Sequence, residues 1–201
     1  YHDAFDAIRS AVAEEKVPGA IGLVSRHGRV LREEAHGNCD ASLERPMTTR
    51  TICWIASLTK PITATAAMIL VEEGTLSLDD QVEKYLPEFR NQTADDGRHY
   101  PVTVRQLMSH SSGIQSNPPL RPQFFFAADW YARDIAEIAT AIADTNLLFK
   151  PGSEVRYSNA APYVLARIIE LRSGMRYDRF VQTRILDPLE MRDTYFAPPA
   201  S

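Results

Sequence analysis

Between Thr51 and Gly74 the sequence changes character at one point, and that point carries Ser57-Leu58-Thr59-Lys60. Upstream, Thr51-Ile52-Cys53-Trp54-Ile55-Ala56 is an apolar run of strand type. Downstream, Leu58, Ile62, Ala66, Ile69 and Leu70 recur at helical spacing, and Gly74 provides a C-terminal stop. Ser57 is therefore expected at or next to a helix start, with Lys60 one turn further on. Residues three apart share a helix face, so the ammonium can lie beside the hydroxyl. Pro61 falls in the first turn, where a missing N–H costs little. The apolar run before Ser57 predicts a serine lying against the core. A serine hydroxyl alone is a poor nucleophile, and a partly desolvated amine beside it can take its proton or stabilise its alkoxide. The same residues also suit an ordinary helix cap followed by a surface lysine. On this segment alone both readings stand.

Composition narrows the classes. At 201 residues the chain can build a core that needs no disulfide staples, and 44% hydrophobic with 24% charged residues is a soluble globular balance. A net charge of −4 supplies no basic stripe, so no nucleic-acid partner is expected. The longest apolar stretch, near residues 62–71, is interrupted by threonines and is too short to cross a membrane. Cys39 and Cys53 lack metal-ligand spacing, and their pairing is left open by the sequence. The chain opens at Tyr1 without a methionine or a signal peptide, which is the pattern of a trimmed or processed N-terminus.

The periodicity predicts a short amphipathic helix over 3–15 with Phe5, Ile8 and Val12 on one face, ended by Val17-Pro18-Gly19. Strands follow at 20–25 and 30–36, joined through Arg26-His27-Gly28-Arg29. Residues 79–85 read as a short helix stopped before Pro87, and 91–101 as a polar surface loop. Thr103 can cap a helix running through Met108. Residues 115–131 combine prolines with Phe124, Phe125, Phe126, Trp130 and Tyr131, and are read as a loop packed onto the domain rather than a substrate lining. Amphipathic helices are expected at 134–144, 161–173 and 177–185. The fold class is α+β: an antiparallel sheet flanked by helices, plus an all-helical region.

A second polar cluster, Tyr157-Ser158-Asn159, lies between Pro151-Gly152 and the helix expected from about residue 161. A tyrosine there can act as acid or base if cations lower its pKa from about 10. Asn159 can both donate to a substrate and accept from a lysine. Taken alone, Ser158 or Asn159 is better read as a helix cap and Tyr157 as a packed aromatic.

Together the two clusters change that balance. Ser57-x-x-Lys60 opening a helix, followed by Tyr157-x-Asn159 on a loop before another helix, resembles the serine β-lactamase and penicillin-binding-protein superfamily. The Tyr-x-Asn form is similar to the class C β-lactamase branch, with its DD-peptidase and carboxylesterase relatives. Shorter runs extend the resemblance in family order: Val17-Pro18-Gly19-Ala20, Gly74-Thr75-Leu76-Ser77-Leu78-Asp79, Tyr85-Leu86-Pro87 and Leu107-Met108-Ser109-His110-Ser111-Ser112-Gly113. Phe149-Lys150-Pro151-Gly152 and Leu186-Asp187-Pro188-Leu189-Glu190-Met191 complete the set.

The resemblance implies a β-lactamase-like fold and an acyl-enzyme mechanism. Ser57 would be the nucleophile, Lys60 and Tyr157 would share proton transfer, and Asn159 would hold the substrate amide. The backbone N–H of Ser57 would give half of an oxyanion hole. His110 is assigned to bracing a loop. No metal and no organic cofactor is implied. The family's third motif, a Lys/His-x-Gly stretch on a strand, finds no match after Asn159. The expectation is therefore that residues 1–201 are the N-terminal portion of a single catalytic domain. Within it, 1–60 would hold the helix, the hairpin and the start of the nucleophile helix, and 61–196 a mainly helical region. The C-terminal strands would be lacking, activity would require the segment that carries them, and a second chain could supply that part.

Three functions are compatible with these residues. The first is a serine hydrolase acting on a β-lactam, a D-alanyl peptide or a small ester. The second is a penicillin-binding or sensor domain that is acylated without turnover. The third, an assembly module, is disfavoured because a scaffold has no need of Ser57, Lys60, Tyr157 and Asn159 together. By resemblance alone, the location would be periplasmic, cell-envelope or secreted.

Overall fold

The computed structural model describes residues 2–40, 42, 45–116 and 134–197. The chain divides into two compact units, Tyr1–Trp54 and Ile55–Ser201. The class is α+β, as the sequence predicts.

In the first unit, helix α1 (His2–Ala13) precedes strands β1 (Gly19–Arg26), β2 (Arg29–Asp40) and the very short β3 (Arg45–Pro46). The sheet is antiparallel in the order β1-β2-β3. Arg26 pairs with Arg29, leaving His27 and Gly28 as a two-residue loop with φ of 51° and 73°. Two positive φ values in succession match the right-handed twist of the flanking strands, which is why this turn closes the hairpin. The register slips once, between Val24 and Ser25. Gly22 is where α1 meets β1: a Cβ there would fall 2.9 Å from both Ile8 Cδ1 and Phe5 Cε1. Phe5, fully buried, and Ile8 thus occupy the space that the missing side chain leaves. Cys39 and Cys53 are both free thiols.

The second unit begins with a 3-10 turn, Ala56–Leu58, that runs directly into α2 (Thr59–Glu72). Around it lie α3 (Val104–Met108), α4 (Ile135–Ala143), α5 (Ala161–Ser173) and α6 (Tyr177–Val181), the last continuing as a π turn over Gln182–Leu186. The core gathers Ala66, Ala67 and Leu70 of α2, Leu107 of α3, Ile138 and Ile142 of α4, and Val164, Ile168 and Ile169 of α5. The end signals act as predicted. Thr103 and Gln106 form a reciprocal capping box on α3, and Gly174, at φ 69°, closes α5. Asp134 Oδ1 accepts the Ala136 N–H at 2.9 Å to start α4.

Three expectations are corrected. Residues 51–55 form no strand, and Trp54 is 86% exposed, with Ile52, Ile55 and Leu58 also exposed. An apolar run of this length fits a buried strand or an uncovered loop equally well, so periodicity could not decide. Ser57 is consequently exposed rather than set against the core. The helix read at 79–85 shrinks to the 3-10 turn Val82–Lys84, and a second 3-10 turn covers Pro87–Asn91. The chain there is instead tied across by Val82 N–H to Val102 O at 2.8 Å and Val104 N–H to Asp80 O at 3.0 Å. Most of the loop read at 115–131, with all its aromatics, lies outside the described residues.

Candidate active site

Ser57 sits in the turn before α2, and the backbone just ahead of it is unusual. Ala56 has φ of 45°, a left-handed value that costs a residue with a Cβ about 1–2 kcal/mol. The kink lets the chain enter the helix within three residues and leaves Ser57 on the rim of the α2 N-terminus. Lys60, one turn on, reaches back over the same face. Its Nζ donates to Ser57 Oγ at 3.2 Å and to Asn159 Oδ1 at 3.0 Å. The ammonium also lies 4.7 Å from the Tyr157 ring centroid.

Tyr157 approaches from the opposite side, its hydroxyl 2.7 Å from Ser57 Oγ. The four residues singled out in sequence thus converge, although 100 positions separate Ser57 from Tyr157. Lys60, first, and the Ser57 hydroxyl, second, hold the Tyr157 phenol below its usual value. At 48% exposure the ring gives only a modest opposing desolvation.

The Tyr157–Asn159 segment is fixed from below. Ser158, 1% exposed, accepts the Ala161 N–H at 3.1 Å and donates to Gln115 O at 3.3 Å. It therefore does cap α5, and that cap lets Tyr157 and Asn159 point the other way. Ser116 Oγ accepts the Asn159 N–H at 3.2 Å. His110 Nδ1 accepts the Ser158 N–H at 3.2 Å, and its carbonyl accepts from Arg156 N–H at 2.8 Å. The strip that bears these acceptors is itself pinned by Gly152 N–H to Ser111 O (2.8 Å) and Leu148 N–H to Gly113 O (2.7 Å). Gly113 must be glycine here. Its φ is 81°, and a Cβ would stand 2.4 Å from Phe149 O.

Chemically, the arrangement is a hydroxyl bracketed by an ammonium and an acidified phenol. Lys60 donates to Oγ, so the serine's own proton is free to point at Tyr157 O. With Asn159 Oδ1 engaged by Lys60, the amide presents its Nδ2 as a donor. Among the described residues, no group of three or more His, Cys, Asp or Glu side chains could hold a metal ion. Sequence reasoning had assigned His110 to a brace, and that is where it lies. It had missed Ser116 and the left-handed Ala56, for which no local signal exists.

A family model described as Beta-lactamase matches residues 5–201. Esterase EstB of Burkholderia gladioli is 36% identical over 193 residues, covering 92% of this chain and 49% of that protein. A penicillin-binding protein of Bacillus subtilis is 34% identical over 177 residues, covering 86% of this chain and 36% of that protein. Among solved structures, EstCE1, described as a hydrolase with promiscuous acyltransferase activity, superposes with a TM-score of 0.82. It is 29% identical and covers 92% of this chain and 50% of that chain. The chain thus spans between about a third and a half of the length of the curated relatives it matches.

Proposed function

Because the chain belongs to the beta-lactamase family, we propose that it carries the nucleophile of a serine hydrolase that cleaves small acyl substrates, esters first, through an acyl-enzyme on Ser57. The observation that supports this most is the three-way contact of Ser57 Oγ with Lys60 Nζ and the Tyr157 hydroxyl. The esterase name of one relative and the hydrolase title of one structural neighbour favour an ester over an amide or β-lactam.

The proton path follows from the contacts. Tyr157, ionised with help from Lys60, takes the Ser57 proton as Oγ forms its bond to the substrate carbonyl carbon. The Ser57 backbone N–H faces the oxygen that gains charge. When the tetrahedral species collapses, the carbon–leaving-group bond breaks and Tyr157 returns its proton to the departing oxygen. Water then repeats the sequence in reverse. Tyr157 takes a proton from it, the hydroxide adds to the acyl carbon, and Ser57 leaves with the proton Tyr157 held. Lys60 stays cationic throughout, holding Oγ and Asn159 in place, while Asn159 Nδ2 is placed to donate to the substrate's acyl portion.

A second reading, acylation without turnover, draws on the relative named as a penicillin-binding protein. The 2.7 Å Ser57–Tyr157 contact favours turnover, since the same phenol can serve both half-reactions. Hydrolysis of p-nitrophenyl acetate by the intact protein tests the proposal. Ser57→Ala should remove all hydrolysis above background while leaving the thermal transition in place. Unchanged hydrolysis in that variant would overturn it.

A further inference from the structure

His110 stands at the end of α3 with φ of 57°, and three features of this one residue grip the segment that carries Tyr157 and Asn159. Its carbonyl accepts the Arg156 N–H, its ring lies 4.7 Å from the Tyr157 ring at 35°, and its Nδ1 accepts the Ser158 N–H. Resting on the reading in which Tyr157 accepts the Ser57 proton, we propose that His110 is a positioning residue that works only as neutral imidazole, so that its protonation releases the Tyr157–Asn159 segment and lowers activity at acid pH.

The chemistry requires a lone pair on Nδ1. A neutral ring with its proton on Nε2 has one, whereas imidazolium carries N–H on both nitrogens and would face the Ser158 N–H donor to donor. Protonation would also put a second positive charge near Lys60. The groups that face the ring are Lys60 from α2 and the Tyr157 phenol. The Arg156 guanidinium is occupied elsewhere, by Glu154 at 2.8 Å and over the Phe149 ring at 5.3 Å. Burial, and then the Lys60 charge, hold the imidazole below its ordinary value. The folded pKa being the lower one, neutral His110 contributes stability that is complete above about pH 6.5. That contribution is lost as pH falls through the folded value.

The test uses the intact protein, its His110→Asn and His110→Gly variants, and p-nitrophenyl acetate. Asparagine and glycine both accept a left-handed φ, so neither strains the backbone. Asparagine offers an acceptor oxygen near the place of Nδ1 and does not titrate, whereas glycine offers none. Below the Tyr157 pKa, the logarithm of kcat/KM should fall with a slope of about one. In the wild type it should steepen to about two below the His110 pKa read by imidazole NMR. In His110→Asn the slope should stay at about one and most of the neutral-pH rate should remain. In His110→Gly, kcat should drop roughly a hundredfold with KM little changed, as for a misplaced catalytic group. Tyr157 absorbance, blanked against Tyr157→Phe, should titrate nearer 10 in the glycine variant and close to wild type in the asparagine variant. A steepening that persists in His110→Asn would overturn the proposal. So would a glycine variant matching wild type in both kcat and Tyr157 titration. The NMR and absorbance readouts need no turnover. They therefore separate failure of His110 as a positioner from failure of Ser57 as the nucleophile.

Discussion

Tyr157 owes its proposed chemistry to Lys60, a residue nearly a hundred positions away in the chain. Lys60 lies over the ring and is the first cause of the lowered phenol pKa, with Ser57 second. Replacing it by the uncharged Lys60→Met should move the Tyr157 titration up toward 10 and shift the rising limb of the pH–rate profile to higher pH with it. Ultraviolet titration of tyrosinate checks the first, and kcat/KM against pH the second. Because the folded phenol has the lower pKa, the interaction stabilises the fold fully only above about pH 10. It fades as pH falls through the lowered value. Tyr157→Phe should keep the ring packing against His110, lower kcat by about a hundred- to ten-thousand-fold and leave KM nearly unchanged. A change confined to KM would mean that Tyr157 binds rather than transfers protons. At this scale the sequence was informative. The Ser57–Lys60 spacing puts both on one face whatever the tertiary fold. The partnership with Tyr157 and Asn159 was readable only through resemblance, since nothing local connects positions so far apart. His110 contacts Ser158 through a single ring nitrogen, which no pattern of spacing encodes.

The turn that presents Ser57 illustrates what is decided one level up. Periodicity located the start of α2 within two residues, and the Thr103 box and Gly174 stop located the ends of α3 and α5. In each case the signal is a local hydrogen bond or a local φ, so the local sequence suffices. The kink at Ala56 carries no such signal, because alanine is a poor choice for φ of 45°. A left-handed residue next to the proposed nucleophile is strain held where it aims a side chain. Ala56→Gly should therefore relieve it and leave stability within about 1 kcal/mol of wild type, the gain being offset by glycine's greater unfolded-state entropy. Ala56→Val, β-branched at the same φ, should cost roughly 1–3 kcal/mol and lower hydrolysis as the turn shifts. Thermal denaturation alongside kinetics distinguishes the two, and a valine variant equal to wild type would contradict a strained turn. The two-residue strand β3 escaped the sequence for a different reason: two residues are too few to show alternation.

Over the whole molecule, the described residues divide by what they contribute. The second unit holds all four candidate site residues on a helical core, with Ser57 and Lys60 on α2 and its lead-in turn, and Tyr157 and Asn159 on the approach to α5. Helices α2 and α5 share one set of buried side chains, among them Ala66, Leu70, Ile168 and Ile169, so the two halves of the site rest on a common rigid base. The α+β class and the element order were legible because hydrophobic periodicity changes with secondary structure. The exposure of Ile52, Trp54 and Ile55 was not, since burial depends on what packs against a run rather than on the run itself. The measurement that tests the central claim most directly is rapid-quench intact mass spectrometry of the protein with p-nitrophenyl acetate, followed by peptide mapping. An acetyl group that appears on Ser57 within one turnover, and is lost as product accumulates, is the predicted result. Acetylation confined to another residue, or steady hydrolysis that persists undiminished in Ser57→Ala, would contradict it.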